Sequence, residues 1–572
     1  MTTLEGNKLA NPNTELANIR NTPSRVPSTE EEIHVYGYGQ FQRMALLCSI
    51  VSFFMNVVHS QTLPIMSRPV AHWCKPSDEH AGLSADEWKN TSIPQGVDGR
   101  FSSCTRYEPP MPTPADNKTE VSCDRWDYDS EVGATIVRDF NLVCDRKWLL
   151  RALRFVYSLG GSVLLPVMGS ASDKYGRRAV LGLTLFGLVL SGVVTSLVKT
   201  LVEFAVLQLL TSTSITTFQA ISTVLLFEVT PQDHRMLFCM LNICVPLVLG
   251  TVVLGLLGTT LMHWSAMQLV VISPTLLLLL TYHLTDESPR WLITSWKFKD
   301  AERVILWAAR QNGLPDLDKV RSAYFRIKES AVSRDGFTAR PTIFNILCSP
   351  LLRSQSLIVF GGWWVIFNCY YSIARYKSFG GGAVYFYIMI GIANMFIQTV
   401  NYFVLRGYGR RKPMSVYMLG LSGLMTSLAA LVALGMELAF AKVAVPTAFL
   451  VEVAFTTMFV FTVELYPTAV RSAGVCGAFL FGRLGGVSAS LFSDLRLLDP
   501  PMDRLIPMLV NAVVFFTLGL LVLSLPETLA LSATDKGQEA AQKDKWRLDS
   551  PLKRKKKSRR VPKKCIARKL DR

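Results

Sequence analysis

Twelve predominantly apolar stretches, each about 20 residues long, constrain this 572-residue chain more than any other feature. They run near Met44–Gln61, Leu149–Gly169, Ala179–Val198, Leu201–Leu226, Met236–Leu257 and Trp264–Leu284, then Ser354–Ala374, Gly381–Leu405, Pro413–Leu434, Val443–Val463, Ser472–Phe492 and Leu505–Leu525. A bilayer's hydrocarbon core is about 30 Å thick and takes roughly 20 such residues per helix. Within it every backbone N–H and C=O must be bonded inside the segment, so these stretches read as transmembrane helices, numbered spans 1 to 12. Span 4 is the least clear, being Ser/Thr-rich from Thr211 to Thr217. The expected fold class is an all-α membrane protein with 12 transmembrane helices. Residues 1–40 are polar and Pro/Asn-rich, so no signal peptide is expected before span 1.

Formal net charge is +17, which in a soluble chain would point to nucleic acid. Its distribution points elsewhere. From Leu531 to Arg572 there are 16 Lys/Arg and 5 Asp/Glu, so this tail carries most of the excess. On a chain held by twelve spans, the tail is drawn to anionic inner-leaflet lipid at about 1 kcal/mol per basic residue near the surface. A solvated run with no specific partner is the alternative, and no nucleic-acid partner is expected. Lys/Arg placement in the short loops also sets orientation. Arg177–Arg178, Arg235, Arg410–Arg411–Lys412 and Arg471 all fall in even-numbered loops, which places both termini in the cytoplasm and the chain, multi-pass, in the plasma membrane. The loop at residues 62–148 has 10 Lys/Arg against 14 Asp/Glu and holds Cys74, Cys104, Cys123 and Cys144 with the glycosylation sequons at Asn90 and Asn117. An even cysteine set beside sequons reads as a large extracellular, disulfide-stapled loop between helices 1 and 2; its three possible pairings stay open.

The chain repeats itself. Gly176-Arg177-Arg178 after span 2 returns as Gly409-Arg410-Arg411 after span 8; Glu228-x-x-Pro-x-x-x-Arg235 after span 4 returns as Glu464-x-x-Pro-x-x-x-Arg471 after span 10; Glu287 after span 6 returns as Glu527 after span 12. These three markers share a nearly constant offset, so the chain is a tandem duplication of six spans, with a substrate site expected between the halves near midplane. The expected organisation is a cytoplasmic segment (1–40), an N-terminal half (41–284), a cytoplasmic linker (285–353), a C-terminal half (354–526) and a basic tail (527–572). A transporter that rocks between two states needs exchangeable contacts at its ends. Asp173 is placed to meet a helix N-terminus. Arg177, Arg178, Arg235 and Arg290 are expected partners for Glu228 and Glu287, and Arg471 for Glu464. With Arg410, Arg411 and Glu527 these form the candidate gating network. The alternative is that the arginines only set topology. Arg406 stands where the first copy has Asp173, so the second half lacks one latch.

Gly169-Ser-Ala-Ser-Asp173-Lys-Tyr-Gly176-Arg177-Arg178 resembles the signature of the major facilitator superfamily. Within it, Ser122-Cys-Asp-Arg-Trp-Asp-Tyr-Asp129, Leu142-Val-Cys-Asp145, Glu287-Ser-Pro-Arg-Trp-Leu292, Glu464-Leu-Tyr-Pro-Thr-Ala-Val-Arg471 and Leu525-Pro-Glu-Thr528 resemble the organic ion transporters of solute carrier family 22, over residues 40–530. The resemblance implies a major facilitator fold of two six-helix halves. It also implies facilitative or exchange transport of organic anions, cations or carnitine-like zwitterions by alternating access. Gln208 and Ser490 depart from the family's usual Arg and Pro.

Charged residues at membrane depth are costly and default to functional candidates. Arg483 on span 11 and Glu452 on span 10 lie roughly 16–18 Å from the cytoplasmic ends of their helices, near midplane, with Gln398 on span 8 at similar depth. A guanidinium fits carboxylate or sulfate, and the resemblance places an arginine in Arg483-Leu-Gly on the anion and carnitine side. Glu452 can neutralise Arg483, meet an ammonium group or take a proton. Trp364, Phe367, Tyr370 and Tyr371 on span 7 are candidates to line an apolar cavity, ordinary helix packing being the alternative reading. Gly482-x-x-Gly485-Gly486 reads as a packing run rather than a dinucleotide loop. No phosphate-cradling loop, metal-ligand set or cofactor motif is recognisable, and no enzyme activity is expected. The expected function is secondary transport of a small organic ion, anionic or zwitterionic. Its alternatives are an organic cation carrier and a transport-inactive, receptor-like or scaffold member.

Overall fold

The computed structural model describes residues 35–76, 82–96, 99–108, 119–129, 134–260, 263–334, 350–374, 384–494 and 502–528. Asn117 and the basic tail from residue 529 lie outside them. Helix covers all twelve apolar stretches. In the first half these are Gln40–Met66, Trp148–Val163 continued by Leu165–Tyr175, Arg177–Thr195, Leu201–Val229, Gln232–Thr259, and Trp264–Ile272 continued by Thr275–Leu284. In the second they are Pro350–Ala374, Val384–Tyr408, Arg411–Ala433, Glu437–Leu465, Arg471–Asp494 and Met502–Val522. Ten are long and apolar enough, among the described residues, to cross a membrane; spans 8 and 11 complete the twelve as helices of 25 and 24 residues.

Two spans expected to be continuous are broken, each at a proline. Span 2 is interrupted at Leu164, just before Pro166, and span 6 at Ser273–Pro274. Proline has no N–H to give and its ring crowds the preceding turn. Span 4 shows why its hydropathy is low: every residue from Thr211 to Thr230 is buried, so this stretch of the helix faces protein rather than lipid, while Val202, Val206 and Leu210 ahead of it are exposed. Several of its hydroxyls are satisfied in place, as where Thr213 Oγ1 donates to the Leu209 carbonyl at 2.9 Å and Thr223 Oγ1 to that of Gln219 at 2.9 Å, whereas Ser212 Oγ and Thr217 Oγ1 have no partner among the described residues.

The halves meet where span 2 packs on span 11 and span 5 on span 8. Within the second half, spans 7 and 11 cross closely: a Cβ on Gly485 would lie 2.1 Å from the Trp364 carbonyl oxygen, and one on Gly486 2.7 Å from the Tyr371 ring. The Gly482–Gly486 run is therefore a packing device.

The linker carries three helices, Pro289–Thr294, Phe298–Gln311 and Leu317–Arg334. Ser288 Oγ accepts from the Trp291 N–H at 3.2 Å, and Pro289 is pre-set for the first turn. Ala301, Val304, Ile305 and Ala308 bury one stripe of the second helix. Asn312, at its end, donates to the Tyr36 carbonyl at 2.8 Å and accepts from the Phe41 N–H at 3.1 Å, fastening the linker to the entry of span 1.

The loop between spans 1 and 2 forms two antiparallel ribbons, β1 (His72–Cys74) with β4 (Trp126–Tyr128) and β2 (Thr105–Glu108) with β3 (Thr119–Ser122). Of the three open cysteine pairings the structure has Cys74–Cys123 and Cys104–Cys144. Trp88 is fully buried and donates to the Cys74 carbonyl at 2.7 Å, while Asn90 is exposed on the helix Ala85–Ser92.

Gly485→Ala is expected to force spans 7 and 11 apart and destabilise the fold by about 1–3 kcal/mol, the usual cost of overpacking. A lower thermal midpoint of the purified protein checks this, and an unchanged midpoint would contradict the close crossing.

Candidate substrate site and charge gate

The Gly-Arg-Arg loops bring together two charge clusters, one per half. In the first, Glu228 is fully buried and receives Arg177 through two bonds, Nε to Oε2 at 3.1 Å and Nη2 to Oε1 at 3.0 Å. Arg177 Nη2 also lies 3.1 Å from Asp173 Oδ1. Glu287 accepts the backbone N–H groups of Arg177 and Arg178, each at 3.0 Å, and so caps span 3, while the Arg178 side chain pairs with Asp286 at 2.7 Å. Burial pushes the Glu287 carboxyl up, against the lowering pull of those N–H groups and of Arg177.

The second cluster repeats part of this arrangement, with one bond in place of the two-bond contact. Arg410 Nη2 meets Glu464 Oε1 at 3.0 Å, and Glu527 accepts the N–H groups of Arg410 and Arg411 at 2.8 and 3.1 Å. Arg177 Nη1 reaches the Ser172 carbonyl and Arg410 Nη1 that of Leu405, both at 3.3 Å. Arg235 and Arg471 turn Nε to the carbonyls of Thr230 and Tyr466, at 3.1 and 3.0 Å.

The halves are joined through the first cluster. Arg471 Nη1 donates to Glu228 Oε1 at 3.3 Å, Arg177 Nη2 to the Thr468 carbonyl at 3.1 Å, and Asp173 accepts the Ser472 and Ala473 N–H groups at 3.3 and 2.9 Å. The expected Arg471–Glu464 pair is thus replaced by a pair across the halves. Glu464 is already taken by Arg410 and by the Thr528 hydroxyl at 2.5 Å. Likewise Glu228 is held by Arg177 and Arg471. Arg235 lies with Arg471 over the Phe227 ring, 4.6 and 4.9 Å from its centre, and Arg290 is buried within electrostatic range of Tyr36.

The break in symmetry has a local cause. Residues Thr468–Val470 form a 3-10 turn ahead of span 11, which leaves the Thr468 carbonyl and the Ser472 and Ala473 N–H groups for partners in the other half. The matching start of span 5 is α-helical from Gln232, its Arg235 N–H returning to the Pro231 carbonyl at 3.0 Å. Arg406, the counterpart of Asp173, is exposed.

Halfway along span 11 Arg483 is buried at 8% exposure, and its Nη2 donates to Asn56 Oδ1 at 3.3 Å and to Thr216 Oγ1 at 3.2 Å, both in the other half. Among the described residues no carboxylate lies within salt-bridge distance of it, so the ion pair with Glu452 is not formed. Asn56 Nδ2 in turn donates to Gln219 Oε1. Glu452 is half-buried on span 10, within electrostatic range of Cys244 on span 5 and Tyr370 on span 7. Gln398 is buried and spends its amide on the Glu452 carbonyl at 3.2 Å and Thr456 Oγ1 at 2.9 Å, so it joins helices within one half. Trp364, Phe367, Tyr370 and Tyr371 are half-buried. Phe367 packs 5.8 Å from Phe455 and 6.2 Å from Tyr371, and Tyr370 stands perpendicular to Tyr371 at 5.5 Å. Gln208 is buried on span 4, and the side chain of Ser490 lies outside the described residues.

Residues 127–535 match the model of the sugar (and other) transporter family. The chain is 30% identical to solute carrier family 22 member 7 of Sus scrofa, over 80% of this chain and 86% of that protein, and 30% identical to the Homo sapiens member 7, over 86% and 92%. The chain belongs to solute carrier family 22 of the major facilitator superfamily. It is also 26% identical to the human member 13, over 87% of this chain and 90% of that one. The proton:xylose symporter XylE, solved with 6-bromo-6-deoxy-D-glucose, shares the fold at 17% identity, with a TM-score of 0.54 over 89% of this chain and 96% of that one.

In this family 22 member, Asn56, Thr216, Gln219 and Thr468 escaped sequence reading. A signal exists for three of them. Ser49, Ser52 and Asn56 on span 1 and Thr216, Gln219 and Thr223 on span 4 share the spacing i, i+3, i+7, and they bond across the two helices: Ser49 with Thr223 at 3.3 Å, Asn56 with Gln219. Polar residues at helical spacing inside an apolar span mark a buried face.

Cys476 is fully buried where Gly169 of span 2 approaches span 11. Asp173→Asn removes the charge on the span 11 N-terminus, worth about 1 kcal/mol. Alkylation of Cys476 by a soluble maleimide, read by peptide mass spectrometry, is expected to rise about fivefold, which is that energy converted. Glu228→Gln, which leaves two guanidinium groups short of a partner, is expected to raise it further. No change in either variant would rule out these contacts as the closure.

Proposed function

We propose that this chain is a secondary transporter of small organic anions or carnitine-like zwitterions, working by alternating access across the plasma membrane. The observation that carries the reading is Arg483: a buried guanidinium halfway along span 11, held among the described residues by neutral oxygens of the other half. A permanent charge at that depth is tolerated only with compensation, and an anionic substrate group provides what Asn56 and Thr216 do not. Its position between halves lets one substrate group be gripped from both sides, so that binding biases their relative arrangement. The contacts of Asp173, Glu228 and Arg471 close the cytoplasmic face, and their exchange for solvent opens it. Both termini lie in the cytoplasm, the disulfide loop with Asn90 and Asn117 faces outward, and the tail meets anionic lipid.

Glu452 favours a second reading. A half-buried carboxylate near Tyr370 suits an ammonium group, so the cation carrier stays in competition. Uptake into proteoliposomes of benzenesulfonate, carnitine and benzyltrimethylammonium decides. Saturable uptake of either of the first two is expected, with Arg483→Gln lowering its efficiency about tenfold or more, the scale of one lost charge-assisted contact. Preference for benzyltrimethylammonium would establish the cation reading, and binding without flux in correctly inserted protein the receptor-like one.

A further inference from the structure

Arg483 does not stand alone in its polar surroundings. Its Nη2 makes both contacts to the N-terminal half, with Asn56 and Thr216, and the neighbouring faces of spans 2 and 4 carry further hydroxyls. On span 4, Ser212 lies one helical turn from Thr216, the residue that accepts from Arg483. On span 2, Tyr157 lies one turn from Gly161. A Cβ on Gly161 would stand 2.8 Å from Ser212 Oγ and 3.1 Å from Thr216 Oγ1, so the two helix faces are in direct apposition. Tyr157 is within electrostatic range of both Arg483 and Tyr371. Tyr157 is 6% exposed and Ser212 fully buried, yet neither hydroxyl has a hydrogen-bond partner among the described residues, although the two are close enough to interact.

Two buried hydroxyls left unbonded beside an arginine are unusual. Folded proteins satisfy the large majority of such groups, and leaving one unmet costs about 1–3 kcal/mol. Other hydroxyls of span 4 avoid that cost by returning to a carbonyl of their own helix, as Thr213, Ser222 and Thr223 do. An acceptor bearing negative charge would satisfy both O–H donors and the guanidinium together.

We propose that Tyr157 and Ser212 complete, with Arg483, an oxyanion-binding subsite that takes a carboxylate or sulfonate group of the transported molecule. This rests on the anion reading of Arg483 and extends it to spans 2 and 4. The subsite discriminates by charge and by acceptor geometry: two O–H donors and a cation favour an ionised acid over its amide or sulfonamide, which brings N–H donors against donors. Because it draws on both halves, the subsite also gives the anionic group contacts that the relative motion of the halves would make and break.

The test uses the full-length protein in proteoliposomes. KM for benzenesulfonate and for carnitine is measured, with inhibition by benzenesulfonamide as the neutral comparison, for wild type, Tyr157→Phe, Ser212→Ala, Ser212→Thr and Arg483→Gln. Tyr157→Phe and Ser212→Ala are each expected to raise KM about tenfold, on the scale of one hydrogen bond to a charged group, and to narrow the gap between benzenesulfonate and benzenesulfonamide. Ser212→Thr, which keeps the hydroxyl, is expected to stay near wild type. The shift in thermal midpoint that benzenesulfonate produces in purified protein gives a second readout independent of flux, and it should shrink in the same variants. Loss of anion uptake in Arg483→Gln with unchanged KM in both Tyr157→Phe and Ser212→Ala overturns the subsite and leaves the anion reading standing. A wild type with neither uptake of nor stabilisation by benzenesulfonate or carnitine overturns both.

Discussion

The arrangement turns on one buried carboxylate. Glu228 has no solvent exposure and accepts from Arg177 of its own half and Arg471 of the other. Desolvating a carboxylate costs several kcal/mol, and only close partners with good geometry return it. The bidentate Arg177 bond does most of that within the N-terminal half. The contact to Arg471, at 3.3 Å, is the longer one and crosses between the halves. A carboxylate held by two bonds in its own half and by one longer bond from the other joins the two bodies through a single buried charge.

The middle of span 11 follows a related rule with the charge reversed. Arg483 belongs to the C-terminal half but takes its protein partners from the N-terminal one, and both partners are neutral oxygens. Behind them, spans 1 and 4 are stitched by a ladder of small polar side chains that sets which way each faces. Asn56 donates to Gln219, so its carbonyl oxygen is the atom left for the guanidinium. The ladder is inexpensive because hydroxyls can fall back on their own helix carbonyls, and span 4 uses that repeatedly. The polar surroundings of Arg483 therefore rest on the stretch of span 4 from Thr211 to Thr230, which is buried throughout.

Much of this was legible in the sequence. Apolar length located the twelve helices, and the paired Gly-Arg-Arg, Glu-x-x-Pro and Glu markers located the clusters, because a duplicated motif at constant spacing implies duplicated geometry. Three things were not legible. Local charge order assigns Arg471 to Glu464, seven residues away, but Arg410 and Thr528 occupy that carboxylate, and only the fold shows it. Depth along a helix places Glu452 and Arg483 at one level but says nothing of azimuth, so a pair that seemed natural is not formed. The helix breaks of spans 2 and 6 were marked by Pro166 and Pro274, yet proline within an apolar stretch signals a break only when the neighbours do not re-satisfy the freed carbonyls, as at Pro246 and Pro446, where the helix continues.

The two halves also show how a duplicated sequence can become asymmetric by a small step. Both clusters keep the bonds that hold a half together: an arginine on the end of span 4 or span 10, and a glutamate capping span 3 or span 9. What differs is the first turn of span 11, drawn into a 3-10 turn at Thr468–Val470, so that its carbonyl and N–H groups point to Arg177 and Asp173. An acid at position 406 would find no such vacancy on span 5, whose first turn has already closed on Pro231. Position 406 was thus free of the constraint that holds Asp173, and an exposed arginine facing the basic side is compatible with everything around it. Among the described residues the contact between the halves at this end thus rests on one cluster rather than two, and fewer contacts bias an equilibrium between two arrangements less strongly.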